Sequence, residues 1–261
     1  MKSGKRRKKK PESYQERSYR RIAEQANLVS SYVRLRETDL HILANRRVEE
    51  KAFSLVVHYR NQLENYLASH SDFVQALHPL PPDSLAPPLI REMLSAGHVA
   101  GVGPMAAVAG VIAEYVGRDL LASGLDEVIV ENGGDIFLAR QRDCTVSIFA
   151  GESSLSDKIG IVIRGDDMPL GVCCSSATVG HSLSLGKADA VVVVADSTAI
   201  ADAVATRLGN EVAGQERTAL DSALNVARNI RGIRGVVIIV NDRLGAWGQV
   251  ELTKVSSSKL S

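Results

Sequence analysis

Apolar and polar residues alternate in a stretch near the start of the chain, SSYVRLRETDLHILA, on both sides of Glu37-Thr38. A period of two residues is typical of a strand with one buried face, and two such runs around a short polar break indicate a hairpin. Over residues 47–68 the apolar positions change to a spacing of three and four, with charged residues between them. That spacing predicts an amphipathic helix after the hairpin.

The remaining pattern mixes short strands with several helices. Helical spacing follows the proline cluster HPLPPDSLAPP, and a glycine-rich turn precedes a further helix that we expect to begin near Pro104 and end at Gly124. Several strand-like runs with short connections come next, which favours antiparallel pairing. A valine-rich strand, two helices and a closing hairpin, GVVIIVND with GAWGQVEL, complete the chain. Strands grouped in meanders with helices on one side predict an α+β fold.

Composition indicates a globular domain with a basic tail. The chain has 261 residues, of which 45% are hydrophobic, enough to bury a core. The opening MKSGKRRKKK carries only basic charges, whereas the rest of the chain has more acidic than basic residues. We therefore predict a basic, disordered tail over residues 1–22 and a single domain over residues 23–261. A division of this domain into two lobes is left open. A solvated tail is the favoured interpretation, and contact with nucleic acid is the alternative.

The sequence predicts neither a membrane span nor an export signal. Its apolar runs are shorter than a membrane helix, and a polar segment, KPESYQERSYRRIAEQANLV, follows the basic start where a signal peptide would be apolar. The three cysteines include one adjacent pair, which argues against a secreted disulfide framework. We therefore expect a cytoplasmic protein, and its oligomeric state is not predicted.

The first candidate for chemistry is the helix DSTAIADAVATRLGN. Asp202 and Thr206 are four residues apart on one face, roughly opposite a stripe of Ile200, Val204 and Leu208. One interpretation is a solvated polar face. Because the neighbouring residues are mostly alanine, another backbone could also approach closely, and a carboxylate with a hydroxyl and main-chain carbonyls would suit Mg²⁺ or Ca²⁺.

Two glycine-containing segments are further candidates for binding. In VENGGDIFL, Asn132 and Asp135 bracket two glycines that permit either a plain hairpin turn or the close approach of a ligand to the backbone. In GVGPMAAVAG, a helix start offers free N–H groups to an anion. Neither the P-loop nor the dinucleotide-binding spacing is matched there.

A third loop, CCSSATVGHSLSLGKADA, is rich in hydroxyl groups and glycine, as binding loops often are. His181 in this loop is a candidate base or ligand without an identified partner. Cys173 and Cys174 should face opposite sides of a strand, which predicts two buried thiols rather than a disulfide.

Taken together, these motifs resemble the ApbE-like superfamily in four segments that occur in the same order, VGPMAAVAGVIAEYV, VIVENGGDIFL, GVCCSSATVGHS and VVVVADSTAIADAVATRLGN. The best-known members of that superfamily are FAD:protein FMN transferases, once called thiamine biosynthesis lipoproteins. The similarity covers about residues 95–210 and is most specific at Ala-Asp-Ala-x-Ala-Thr after the valine-rich strand. It looks closer to a soluble, shorter branch that has been linked to homocysteine formation in some anaerobes.

The resemblance implies a T-fold-like architecture of antiparallel sheets backed by helices, and a site for FAD or FMN together with Mg²⁺. On that basis Asp202 and Thr206 would hold the metal. The other implied site residues would contact the flavin or its phosphates: Asn132, Gly133, Gly134, Asp135, Ser175, Ser176 and Thr178. No catalytic residue is implied, and the implied partners are a flavin nucleotide and a protein acceptor.

The sequence also departs from the transferases. Ala109-Gly110 stands where they have a Lys-Gly pair, no lipoprotein anchor is seen, and GHSLSLGKADA replaces a histidine-rich segment, with Lys187 as a candidate for the lost charge. Two functions therefore stay open. The first is a flavin-binding protein that cleaves FAD or transfers FMN. The alternative is a non-transferase accessory protein in anaerobic sulfur or homocysteine metabolism that uses Cys174.

Overall fold

The structure is a computed structural model that describes residues 28–176, 187–212, 214 and 217–255. The predicted tail, residues 1–22, lies outside this part of the chain and stays a prediction. Thr178 and His181, two residues of the hydroxyl-rich loop, also lie outside it.

The described strands form two antiparallel sheets. They are β1 (Val29–Leu35), β2 (Thr38–Ala44), β3 (Val128–Asn132), β4 (Asp135–Ala139), β5 (Cys144–Ser147), β6 (Ile159–Ile163), β7 (Leu170–Ser175), β8 (Ala190–Ala195), β9 (Ile233–Val240), β10 (Arg243–Gly248) and β11 (Glu251–Lys254). The main sheet has eight strands in the order β1-β2-β3-β4-β7-β8-β9-β10, and the small sheet has three in the order β11-β6-β5.

The described helices are α1 (Glu49–Ser69), α2 (Ser71–Gln75), α3 (Pro88–Ala100), α4 (Val108–Ala122), α5 (Thr198–Glu211) and α6 (Arg217–Arg228). The helix expected from Pro104 is divided, because a 3₁₀ helix, Pro104–Ala107, precedes α4. In this part of the chain no single helix is long and apolar enough to cross a membrane. One pair of helices, α3 with Pro104–Ala122, is long and apolar enough when the two are taken together, but the pair is bent by 106°.

The hairpin and the first amphipathic helix are where the sequence predicts them. β1 pairs with β2 around Arg36, which has a φ of 54°. The closing hairpin is only partly as expected, because GAWGQVEL supplies strands to both sheets: β10 joins the main sheet and β11 the small one. Gly248 lies between them with a φ of 84°, a conformation that glycine adopts without strain, and this lets the chain change sheets.

The main sheet is covered on both faces, which explains its nearly continuous apolar strands. On one face the helices pack over Phe137 and Cys173 in a large core. On the other face Leu138 and Val172 pack against the small sheet. The helices therefore lie on one side of the main sheet, as predicted, and the second sheet lies on the other.

Candidate functional site

The alanine-rich helix α5 carries Asp202 and Thr206. Its start is capped by Ser197, whose side chain accepts a hydrogen bond from the Ile200 N–H at 3.4 Å. Val204 and Leu208 are fully buried, as predicted, whereas Ile200 is half-buried. The buried alanines of the helix, at positions 199, 201, 203 and 205, let it lie against β7, β8 and α4. The close approach of other backbones that the sequence suggested is therefore confirmed.

Helices α4 and α5 come closest at Gly110. A Cβ atom at this position would lie 2.5 Å from the Thr198 carbonyl oxygen and 2.8 Å from Cβ of Asp202. Both distances are too short for real contacts, so a larger residue would push the two helices apart. Gly110 therefore sets the depth at which Asp202 meets α4.

The Asp202 side chain caps α4 from another helix. Its Oδ2 accepts a hydrogen bond from the Gly110 N–H at 2.8 Å, and the Ala109 N–H donates to the same carboxylate. These N–H groups belong to the first turn of α4, for which the helix itself has no acceptor. The anion at this helix start is thus the protein's own carboxylate, and the interpretation of Asp202 as part of a solvated face is wrong.

Burial raises the pKa of Asp202 from its ordinary value of 3.8 to about 7, and the hydrogen bonds from Gly110 and Ala109 offset this only in part. Within the described ranges, no lysine or arginine forms an ion pair with Asp202. A carboxylate has about four lone-pair directions, so two N–H donors leave room for a further electropositive group. The carboxylate is therefore able to accept a cation.

The Asn-Gly-Gly-Asp turn between β3 and β4 lies beside the same helix start. The side-chain amide of Asn132 donates a hydrogen bond to the Ala109 carbonyl oxygen at 3.0 Å. Gly133 and Gly134 have φ values of 74° and 110°, which side chains rarely adopt, and a Cβ at Gly133 would meet no atom within 4 Å. The segment is a hairpin turn, as one interpretation held, and it also leaves an open backbone surface.

Asp135 and Asp202 both lie near the Cys173 thiol. Asp135 is the cross-strand neighbour of Cys173, and the Cys173 thiol donates to the Thr198 carbonyl oxygen at 3.3 Å. Burial raises the pKa of Cys173 well above its ordinary value, and the negative charges of Asp135 and Asp202 raise it further. The structure thus brings two separate predicted motifs, the glycine turn and the α5 helix, to one place at the start of α4.

The other face of the main sheet contains a cleft that the sequence analysis missed. It lies between the main and small sheets, and the space in it that a water-sized molecule can occupy is about 60 Å³. Its lining comprises Gly133, Gly134, Ile136, Val146, Ser147, Ile148, Phe149, Val172, Cys174, Ser176 and Val192. Only the pairing of two sheets creates this space, so no local motif announces it.

Cys173 and Cys174 face opposite sides of β7, as predicted. Cys173 belongs to the helix-side core and Cys174 packs against the core beneath the small sheet. Both thiols are free. Cys173 is fully buried, as expected, whereas Cys174 is only half-buried at the cleft. Burial, followed by the charge of Asp135, raises the pKa of Cys174 to about 12.

A family model described as "AbpE bacteria" matches residues 20–252. The chain belongs to this family. A UPF0280 protein of Methanosarcina acetivorans is 38% identical over 224 residues, which are 85% of this chain and 87% of that protein. A UPF0280 protein of Methanocaldococcus jannaschii is 40% identical over 209 residues, which are 78% of this chain and 84% of that protein.

Solved structures with the ApbE fold resemble this member of the AbpE family. The apo form of the flavinyl transferase ApbE from Pseudomonas stutzeri has a TM-score of 0.55 at 16% identity, over 87% of this chain and 94% of that chain. A mutant flavin transferase ApbE from Vibrio cholerae has a TM-score of 0.53 at 16% identity, over 90% and 99%. The predicted α+β fold and the resemblance to the ApbE-like superfamily are therefore confirmed. At this identity the structural likeness concerns the fold.

The donor set around Asp202 fits a divalent cation bound mainly by oxygen. The described residues contain no group of three or more His, Cys, Asp or Glu side chains that could hold a metal ion. Around Asp202 the described residues offer its carboxylate, which has no ion pair with a described lysine or arginine, Asp135 near the same Cys173 thiol, and Thr206 one turn further along α5. Such a set suits Mg²⁺, which keeps several waters and uses few protein ligands.

Lys187 was a candidate for the positive charge that Ala109-Gly110 does not provide. The Lys187 N–H donates to the Val212 carbonyl oxygen at 2.8 Å, at the end of α5. Val212 is ten residues beyond Asp202, about 15 Å along the helix axis at the rise of an α-helix. The described structure therefore gives no support to Lys187 as a replacement for the lysine.

Glu114 supports the site and was missed in the sequence. It is 1% exposed. One of its carboxylate oxygens accepts hydrogen bonds from the Thr198 N–H at 2.7 Å and from the Ser197 hydroxyl at 3.3 Å, and the other pairs with Arg118. The spacing of four between Glu114 and Arg118 is typical of an ion pair on a helix surface, and it gives no sign of a contact with α5. Its link to α5 depends on tertiary packing.

Proposed function

We propose that the protein binds a flavin nucleotide together with a divalent cation at Asp202, and that it cleaves FAD or transfers FMN from it to an acceptor. The observation that carries this proposal is the Asp202 carboxylate, which is held at the start of α4 and forms no ion pair with a lysine or arginine of the residues that the structure describes. The solved structures of similar fold are, by their titles, flavin transferases. Family membership extends over nearly the whole described chain.

In this proposal each residue has a defined part. Asp202 and Thr206 would hold Mg²⁺, which would supply positive charge to the phosphates of the nucleotide. Asp202 is kept in place because two N–H groups of α4 fix its carboxylate. Asn132 ties the glycine turn to the start of α4, Asp135 would lie beside the nucleotide at the other end of the turn, and Gly133 with Gly134 leave the backbone accessible.

Ser175 and Ser176 at the end of β7, with Thr178 beyond the described residues, would provide polar groups to the phosphates. The first N–H groups of α4 are occupied by Asp202, so they do not bind phosphate directly. The phosphates must therefore be neutralised mainly by the cation. Nucleotide binding should accordingly depend strongly on the metal.

The experiment is a calorimetric titration of FAD into the purified protein, with and without Mg²⁺, repeated for Asp202→Asn. A matched control is Asp221→Asn, because Asp221 is exposed on α6 and its ion pair with Arg217 is long, at 3.9 Å. We expect Mg²⁺-dependent FAD binding that Asp202→Asn loses and Asp221→Asn keeps. Release of FMN or AMP from bound FAD would then identify the reaction. Absence of FAD binding to the unaltered protein with Mg²⁺ would refute the proposal.

A thiol function of Cys174 in sulfur metabolism has less support. With a pKa of about 12, the Cys174 thiol stays protonated at neutral pH, whereas thiol chemistry generally requires the thiolate. Replacement of Cys174 by serine should therefore leave FAD binding and turnover unchanged. A loss of homocysteine formation in a host that depends on this protein would favour the thiol function instead.

A further inference from the structure

Glu131 of β3 is a buried carboxylate that bonds to the glycine turn. Its Oε1 accepts a hydrogen bond from the Gly134 N–H at 2.9 Å, three residues further along the chain. Glu131 is only 3% exposed. An N–H group bonded to a carboxylate is held more strongly than one bonded to a neutral acceptor. The glutamate therefore restrains the turn from the strand that leads into it.

The two glycines of the turn need such a restraint. Gly133 and Gly134 have φ values of 74° and 110°, as in a tight hairpin turn whose two central residues both have a positive φ. Glycine adopts these values without strain, but it also adopts many others and loses more conformational freedom than other residues when it is fixed. With no side chains of their own, the glycines depend on hydrogen bonds to other residues for a fixed shape.

Both main-chain groups of Gly134 are bonded inside the protein. Its N–H donates to Glu131, and its carbonyl oxygen accepts a hydrogen bond from the Cys174 N–H at 3.2 Å. Gly133 differs, because none of the residues that the structure describes bonds to its N–H or to its carbonyl oxygen. A Cβ at Gly133 would also meet no atom within 4 Å. The main-chain groups of Gly133 are therefore the ones that the turn can offer to a ligand.

Glu131 is itself held by the strands on both sides of β3. Its cross-strand neighbours are His41 on β2 and Ile136 on β4. His41 is 1% exposed, its ring stacks on Tyr32 with the centroids 4.6 Å apart, and its Nε2 lies 3.2 Å from Ser30 Oγ. Because β2, β3 and β4 are interior strands of the main sheet, the carboxylate is presented to the turn from a rigid base.

We propose that Glu131 is a positioning residue of the nucleotide site, which fixes the turn so that the main-chain groups of Gly133 face the ligand. This inference rests on the proposed function and adds to it a residue that acts through Gly134 without touching the nucleotide. A turn that is ordered beforehand loses less freedom when a ligand binds, so the bond from Gly134 to Glu131 raises the affinity for the nucleotide.

The test compares Glu131→Ala with Glu131→Gln in the full chain. Alanine removes the acceptor of the Gly134 N–H, whereas the side-chain carbonyl oxygen of glutamine can accept the same bond. If the alanine variant fails to fold, Glu131→Leu takes its place, because leucine fills a similar volume without an acceptor. The matched control is Ile129→Ala. Ile129 is a buried residue on the same strand and the same face, two residues further from the turn, so its loss lowers stability without changing the turn.

Three measurements are made on each folded variant: hydrogen exchange of the Gly134 amide by NMR, calorimetric titration of FAD with saturating Mg²⁺, and urea unfolding with and without Mg²⁺. Glu131→Ala should exchange the Gly134 amide faster and bind FAD about tenfold more weakly or worse. Glu131→Gln should recover most of both properties, and Ile129→Ala should bind FAD as the unaltered protein does. Mg²⁺ should stabilise all of them alike, because Asp202 keeps its bonds to α4.

The inference and the proposed function can fail separately. If Glu131→Ala binds FAD as the Ile129→Ala control does, or if Glu131→Gln loses as much affinity as Glu131→Ala, the positioning role of Glu131 is overturned. The proposed function then stands, provided that FAD binding still needs Asp202 and Mg²⁺. If the unaltered protein does not bind FAD with Mg²⁺, both fall.

Discussion

The charge of Asp202 should make the protein less stable as the pH rises, and Asp202→Asn should remove this effect. The pKa of Asp202 is raised from 3.8 to about 7 by burial at the start of α4. Between these two values the folded protein retains a proton that the unfolded chain has released. Stability from this group is therefore fully present below about pH 4 and is lost as the pH rises through about 7.

The size of the effect follows from the pKa difference. A difference of about three pKa units at about 1.36 kcal/mol each gives an upper limit of about 4 kcal/mol. Asp202 is half-buried rather than fully enclosed, so we expect about 2–4 kcal/mol. The asparagine oxygen can still accept a hydrogen bond from α4 but does not ionise, so the variant keeps the cap without the charge.

The assay is urea unfolding of both proteins without divalent cations, between about pH 4 and pH 8, with the difference in unfolding free energy plotted against pH. Titrating groups far from Asp202 cancel in this difference. Asp202→Asn should match the unaltered protein near pH 4 and exceed it by about 2–4 kcal/mol at pH 8. Saturating Mg²⁺ should restore the unaltered protein but not the variant. A difference that is flat with pH, as expected for Asp221→Asn, would refute the reasoning.

Three further results are expected. Gly110→Ala should lower the unfolding free energy by about 1–3 kcal/mol in urea, despite the higher helix propensity of alanine, because its Cβ would lie 2.5 Å from the Thr198 carbonyl oxygen; equal or higher stability would contradict the close packing. Glu114→Ala should lower the free energy of unfolding by about 1–3 kcal/mol and Glu114→Gln by less, because the Thr198 N–H loses its acceptor only in the alanine variant. Equal effects of the two variants in thermal unfolding would contradict the role of Glu114 as that acceptor. Cys174 should be alkylated at pH 8 far more slowly than a free thiol, and its rate should still rise above pH 10, because its pKa is about 12. Mass spectrometry of labelled peptides measures the rate, and labelling as fast as a free thiol would contradict the burial of Cys174.

Local periodicity predicted those elements whose environment is uniform along their length. The β1–β2 hairpin, α1 and α5 each have one pattern that matches one kind of surface. The split of GAWGQVEL between two sheets escaped prediction, because it depends on the positive φ of Gly248 and on which sheet edge is available there. The division before α4, where a 3₁₀ helix ends and an α-helix begins, has no composition signal either.

The candidate site was predicted in its residue types but not in its contacts. Asp202 stood out as a carboxylate in an alanine-rich helix, yet its partner, the Gly110 N–H, is 92 residues earlier in the chain. The Ala109 carbonyl likewise meets Asn132 only through packing of α4 on β3. The cleft arises where two sheets face each other, so no local pattern predicts it, although Gly133, Gly134 and Ser176 of its lining were already candidate binding residues.

Capping of α4 does not by itself explain why residue 202 is an aspartate. A neutral acceptor serves the first N–H groups of a helix about as well, since asparagine, serine and threonine are also favoured caps. At this half-buried position, burial raises the pKa of Asp202 to about 7, so the charge of its carboxylate opposes folding above that pH. A bound cation would make the contribution of this charge to folding favourable, because it would stabilise the ionised carboxylate. The two N–H groups of α4 would hold that carboxylate in place as a ligand. A charge that opposes folding of the empty protein and is stabilised by a bound cation therefore supports the proposal of a divalent metal at Asp202.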